Sequence, residues 1–166
     1  MVIRDVHGIE WDRWQPKERA VLCFIRDGGR VMLIHKKRGL GKGKVNAPGG
    51  RIEPGETTEF AAVRETQEEI GLTPSELEVR GELFFIFTNG YSLHGTVYFA
   101  NKFTGTPVET DEADPFWCDI DTIPYDNMWA DDRLWLPLAL DGKYFKGYFI
   151  FEDDKMLSHK VVTSDK

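Results

Sequence analysis

Cysteine is scarce in this chain, at two in 166 residues, Cys23 and Cys118. Two are too few for a disulfide framework, which excludes the small secreted scaffolds that rely on one. No apolar run approaches the ~18 residues that a spanning helix needs. The start, Met1-Val2-Ile3-Arg4-Asp5-Val6-His7, lacks the apolar core of a secretory leader. Basic charge is also short: 21 Lys and Arg stand against 28 Asp and Glu, a net charge of −7. Such a chain is a poor general binder of nucleic-acid polymers or anionic membranes. A basic loop or bound metal ions still allow local contact with a polyanion. Apolar side chains are plentiful, at 41% of residues with 30% charged, enough for a core and too many for disorder. The expectation is one cytoplasmic domain over 1–166, monomer or homodimer, with no nucleic-acid polymer or membrane as partner.

Residues 1–18 form a polar lead-in whose Trp11 and Trp14 imply that it packs back on the body. Strand-like runs at 20–26 and 31–36 flank a glycine turn, and a loop rich in glycine and lysine follows to Lys44. Further extended runs are expected at 79–87, 94–104, 116–120, 144–151 and 156–162. Thr57 to Ile70 is the best helix, with Thr57 or Thr58 to cap its start and Gly71 to end it. A shorter helix is expected over 131–140. Strands interleaved with two helices predict an α/β domain around a mixed sheet.

The first helix concentrates acid. At 100° per residue Glu65, Glu68 and Glu69 share one side, while Phe60, Val63 and Ile70 fall opposite and are expected to enter the core. Glu56 lies just before it. Like charges at these spacings repel by ~0.2–0.5 kcal/mol per pair, which Arg64 offsets in part and a divalent cation would offset further. Hard oxygen ligands without His or Cys favour Mg²⁺, with Mn²⁺ as a substitute, over Zn²⁺. Such a site fits attack of water on a polyphosphate. A solvated acidic helix face is the commoner reading of a few glutamates.

The spacing overturns that commoner reading. Gly50-x5-Glu56-x7-Arg64-Glu65-x2-Glu68-Glu69-x-Gly71-Leu72 resembles the Nudix box of the Nudix hydrolases, with chance odds on the order of 10⁻⁹ per start position. Thr66 stands where the family usually has an aliphatic residue. The resemblance implies an α/β/α sandwich around a mixed β-sheet. It implies Glu65, Glu68 and Glu69 as metal ligands and catalytic groups, Glu56 as a supporting ligand, and Gly50 as the donor of a backbone carbonyl. It implies that Arg64 orients the glutamates.

Outside the box, Lys36-Lys37-Arg38-Gly39, Asn46, Gly105-Thr106-Pro107-Val108-Glu109, Met128-Trp129, Trp135 and Gly147-Tyr148-Phe149 occur in one order. Together they resemble the branch of the family that hydrolyses oxidised purine nucleoside triphosphates such as 8-oxo-dGTP. The likeness leaves residues 1–18 outside. It implies that Asn46, Asp131 and Asp132 read the purine edge, that Trp129 stacks on the base, and that Lys36 lies by the nucleotide. Glu112 is implied as a loop carboxylate at the metals, a ligand or a catalytic base. Two adjacent carboxylates in a dry slot should not both ionise, so one can donate to an oxo group while the other accepts an N–H. Leu40, Val45 and Pro48 replace aromatic residues of that branch, which trims the stacking surface. The implied reaction is Mg²⁺-dependent release of a nucleoside monophosphate and pyrophosphate. A dinucleoside polyphosphate or nucleotide sugar as substrate, or a silent nucleotide-binding domain, stands as the alternative.

Blander readings exist for several of these residues. Asp131-Asp132 also fits a helix start, Trp129 a core residue, Asn46 a turn, and loop 36–44 a solvated hairpin tip. Gly39-x3-Gly43-Lys44-Val45 is one residue short of a P-loop and lacks its Ser or Thr. The four histidines form no ligand pattern, and there is no nucleophile elbow.

Overall fold

The computed structural model describes residues 4–164. Residues 1–3 and 165–166, the ends of the expected single domain, lie outside the described residues. The strands are β1 (Glu18–Asp27), β2 (Arg30–Lys36), β3 (Val45–Asn46), β4 (Gly49–Arg51), β5 (Thr73–Phe87), β6 (Ser92–Thr104), β7 (Ala113–Asp119), β8 (Tyr144–Glu152) and β9 (Lys155–Ser164). The helices are α1 (Thr58–Ile70) and α2 (Asp132–Leu140). Their order in the sheet is β3-β2-β1-β6-β5-β8-β9, with β4 beside β1 and β7 beside β2. β1 runs parallel to β6 and β5 parallel to β8, and the other pairs are antiparallel. The sheet is thus mixed, as expected. β3 and β4 lie just beyond the loop that ends at Lys44, in a stretch where no strand is expected, being too short to show a two-residue alternation.

A core lies on each face. On one, α1 packs on β1, β4 and β5 over Val21, Cys23, Ile25, Ile34 and Leu72. On the other, α2 packs on β8 and β9 over Phe24, Phe99, Phe145 and Phe149. Trp135 of α2 is fully buried and stacks on Phe145 at 4.9 Å. The two cysteines are free and buried. No helix among the described residues is long and apolar enough to cross a membrane.

The lead-in does pack back. Val6 is buried, its N–H donates to Ser158 Oγ at 3.0 Å, and Trp11 Nε1 donates to the Val6 carbonyl at 3.0 Å. Trp11 meets Tyr148 at 4.9 Å and Trp14 meets Phe84 at 5.9 Å. These contacts cover a part of β5 and β8.

α1 starts where the sequence says. Thr57 is extended, and its Oγ1 accepts the Phe60 N–H at 3.1 Å. Gly71 ends the helix at φ 76°, and its N–H donates to the Gln67 carbonyl at 3.0 Å. We expect Thr57→Ala to lower unfolding stability by about 1 kcal/mol, read from denaturant midpoints at constant slope. Thr57→Asn should restore it.

The buried face of α1 corrects the expectation. Phe60 is 61% exposed and Val63 only half-buried. The buried positions are Ala61, Ala62, Thr66, Glu69 and Ile70. The helix therefore turns part of its acidic side toward the sheet. Its alanines permit the close approach, and Thr66 donates its hydroxyl back to the Ala62 carbonyl at 2.8 Å.

Candidate active site

A cleft of about 800 Å³, its solvent-open mouth included, runs between the sheet, the loop after β2, α1 and the segment leading into α2. Lys36, Gly49, Gly50 and Glu69 line one region, and Asn46, Trp129, Asp131 and Asp132 another. This size suits a ligand as large as a nucleotide.

Three carboxylates gather at the first region. One oxygen each of Glu65, Glu69 and Glu112 lie within 4.8 Å of one another. Gly49 and Gly50 make the space. A Cβ on Gly50 would fall 2.4 Å from the Glu65 carboxylate, and one on Gly49 would fall 2.1 Å from the Val21 carbonyl. The Gly49 N–H donates to Glu69 Oε1 at 3.3 Å. Glu112 arrives on the loop before β7. That loop is pinned to the end of α1 by Thr110, which donates to the Glu69 carbonyl at 2.7 Å and accepts the Glu112 N–H at 3.2 Å.

Arg64 sorts the remaining acids. Its Nε and Nη2 donate to both oxygens of Glu56 at 2.6 and 2.7 Å, while Nη1 donates to Glu65 at 2.7 Å and Glu68 at 3.2 Å. Such a fork matches a carboxylate in geometry as well as charge. It holds Glu56 down at about 2. Of the six groups read from the sequence as metal ligands, the structure brings Glu65, Glu69 and Glu112 together beside Gly50. Glu56 and Glu68 are held by Arg64 and lie outside that trio.

Burial pushes Glu69 up to about 8, against the pull of the Gly49 N–H and Lys36 and with the push of Glu65 and Glu112. Glu65 is also raised by burial, which Arg64 opposes. Acids held this far from their charged form fit a divalent cation, and a set made only of carboxylates fits a hard one.

The raised acid has a consequence for stability. Without metal, folding takes up a proton on Glu69 across the window from its ordinary 4.5 to about 8, so stability falls as pH rises there. Glu56 acts oppositely: its contribution is full above 4.5 and is lost as pH falls toward about 2. We expect Tm in chelator to decline from about pH 5 to 8, with Glu69→Gln removing part of the slope. Asp131 and Asp132, raised as well, supply the rest. A Tm that rises across this range contradicts a protonated Glu69.

The second region is drier. Asp131 and Asp132 are buried, at 1% and 5% exposure. Trp135 Nε1 donates to Asp131 Oδ2 at 2.8 Å, and Asp131 Oδ1 is buried with no hydrogen-bond partner among the described residues. Asp131 therefore does not cap α2, as a plain helix start would. Burial raises both carboxyls, and the charge of Asp131 raises Asp132 further, while Lys44 opposes it. Two acids so placed resist ionising together. Trp129 is set edge-to-face against Phe87 at 6.0 Å and Phe151 at 5.4 Å. Asn46 ends β3, where its Oδ1 accepts the Ala47 N–H at 2.8 Å, and it lines the cleft.

The sequence reading missed the wall of the cleft. Ala20, Leu22, Leu83, Phe85, Phe87 and Leu93 line it from β1, β5 and β6. Residues 83–87 are apolar throughout, so the run signals a buried strand without telling which of its two faces meets the cleft.

Known proteins place the chain. The NUDIX domain model matches residues 16–139. An oxidized purine nucleoside triphosphate hydrolase of Danio rerio is 46% identical over 142 residues, 84% of this chain and 91% of that protein. The Mus musculus protein of that name is 41% identical over the same shares. A solved mutator MutT protein from Bacillus halodurans superposes with a TM-score of 0.78 at 26% identity, covering 87% of this chain and 97% of that one. A match over most of the length, a sandwich of helices about a mixed sheet, and the acidic helix between them say one thing: this chain belongs to the Nudix family.

Proposed function

We propose that this chain is a Mg²⁺-dependent pyrophosphohydrolase of purine nucleoside triphosphates, oxidised ones such as 8-oxo-dGTP above all. It yields the nucleoside monophosphate and pyrophosphate, and so cleans the cytoplasmic nucleotide pool. The observation that carries the reading is one cleft with a carboxylate trio beside Lys36 in one region and a tryptophan with two buried aspartates in another. The names of the Danio rerio and Mus musculus relatives support it.

Glu65, Glu69 and Glu112, with the Gly50 carbonyl, are the groups that would hold the metal, and Glu68 and Glu56 stand nearby as supporting acids. When bound, a divalent ion neutralises phosphate charge and lowers the pKa of its water. The chain's own residues do the rest. Arg64 fixes Glu65 and keeps Glu56 ionised. Lys36 faces the phosphates. Trp129 offers its indole to the base, and Asn46 its amide N–H. Of Asp131 and Asp132, the protonated one donates to an oxo group while the other accepts a ring or exocyclic N–H. Exchange of that proton suits the slot to oxidised guanine and oxidised adenine alike.

The test is kcat/KM with product analysis over 8-oxo-dGTP, 2-hydroxy-dATP, dGTP, dATP, a dinucleoside polyphosphate and a nucleotide sugar. The reading expects the oxidised triphosphates to lead and pyrophosphate to be released. Preference for either of the last two substrates moves the chain to another Nudix activity. Nucleotide binding without turnover in Mg²⁺ or Mn²⁺ makes it a silent binding domain.

A further inference from the structure

Loop 37–44, between β2 and β3, touches both regions of the cleft. On one side, Arg38 Nη2 donates to Glu112 Oε1 at 2.8 Å, and the Lys37 N–H donates to the Glu112 carbonyl at 3.0 Å. Lys37 also pairs with Glu109 on the same neighbouring loop. On the other side, Lys44 Nζ sits 5.3 Å from the Trp129 ring centroid and 3.4 Å from Asp154 Oδ2 in the β8–β9 turn. Gly41 lies so close that a Cβ there would fall 2.8 Å from Trp129 Nε1. Leu40, between the two contacts, lines the cleft and is 47% exposed.

The loop is short and cross-bonded. Lys36 N–H to Lys44 carbonyl, Gly43 N–H to Lys36 carbonyl and Lys44 N–H to Gly41 carbonyl close it at 3.0, 2.9 and 2.9 Å. The Lys42 N–H also donates to the Gly39 carbonyl at 3.1 Å, so the ties run from the Trp129 contact at Gly41 and Lys44 to the residue that follows Arg38. A carboxylate accepts at both oxygens, so the ion pair with Arg38 is compatible with a place for Glu112 in the trio. That pair also draws an acid against the repulsion of Glu65 and Glu69.

Resting on the cleft reading above, we propose that loop 37–44 couples the base slot to the carboxylate trio, with Arg38 positioning Glu112 and Lys44 positioning Trp129. Filling the slot then steadies Glu112 and tightens the metal, and by linkage the metal tightens the base.

The test reads binding, not turnover. Mn²⁺ alone is titrated by electron paramagnetic resonance, without and with saturating 8-oxo-2′-deoxyguanosine, which carries no phosphate to ligate the ion. Wild type should bind Mn²⁺ about fivefold tighter with the nucleoside present, the low end for linked sites. Arg38→Ala should bring that ratio to about one while calorimetry shows the nucleoside still bound, and Lys44→Met should do the same from the other end. Arg38→Lys, which keeps the charge, should retain part of the coupling. An unchanged ratio in Arg38→Ala overturns the proposal, as does a wild-type ratio of one despite nucleoside binding. If no purine nucleoside binds, the base slot falls and the coupling falls with it.

Discussion

Glu69→Gln should cut kcat by roughly 10³-fold while leaving the fold intact. The amide keeps the shape and can still accept the Gly49 N–H, but loses the charge that a cation needs. Metal stabilisation of a reacting phosphate is worth several kcal/mol, and each 1.36 kcal/mol is about a decade in rate. Glu69 is the most buried of the trio, so water cannot substitute for the missing charge. Because the mutation also removes a buried acid, its thermal stability without metal should be no lower than wild type near neutral pH. Steady-state kinetics at saturating Mg²⁺, with circular dichroism as the folding check, decides it. Wild-type kcat in the variant would remove Glu69 from the chemistry.

Asp131→Asn and Asp132→Asn should each change which purine is preferred, more than they change the rate on the best one. An asparagine fixes as donor or acceptor what the shared proton leaves exchangeable. A hydrogen bond to a charged group contributes about 1.5–3 kcal/mol, so the kcat/KM ratio of 8-oxo-dGTP to 2-hydroxy-dATP should move by about 10- to 100-fold. Asp131 accepts from Trp135 Nε1, and an asparagine Oδ1 can accept the same bond, so its variant should keep the fold. Thermal melts of both variants separate an effect on recognition from one on folding. Unchanged ratios in both variants would contradict the shared-proton slot.

Much of this site could be read from residue spacing. Thr57 and Gly71 bound α1 where capping chemistry places them, and the interval between the glutamates carries the family resemblance by itself. Orientation was the harder matter. A helical wheel puts Phe60 and Ile70 on one arc, yet Phe60 faces solvent, because close packing favoured Ala61 and Ala62 against β1 and β4. The wheel also cannot tell which glutamate an arginine will take. Arg64 spans both oxygens of Glu56, a partner eight positions away, and this leaves Glu112, distant in sequence, to complete the trio. Lys44 was hidden for the same reason. In sequence it is one more charge in a basic loop, and only the fold lays it over Trp129. Asn46 departs from its turn reading, since it pairs with Ile34 as the end of β3 and lines the cleft.

The central claim is that Glu65, Glu69 and Glu112 together gather a hard cation beside the purine slot. An anomalous-difference map from a crystal soaked in Mn²⁺ measures this directly. The account predicts a manganese peak in contact with carboxylate oxygens of all three residues. Strong peaks elsewhere, with none between these side chains, would contradict it.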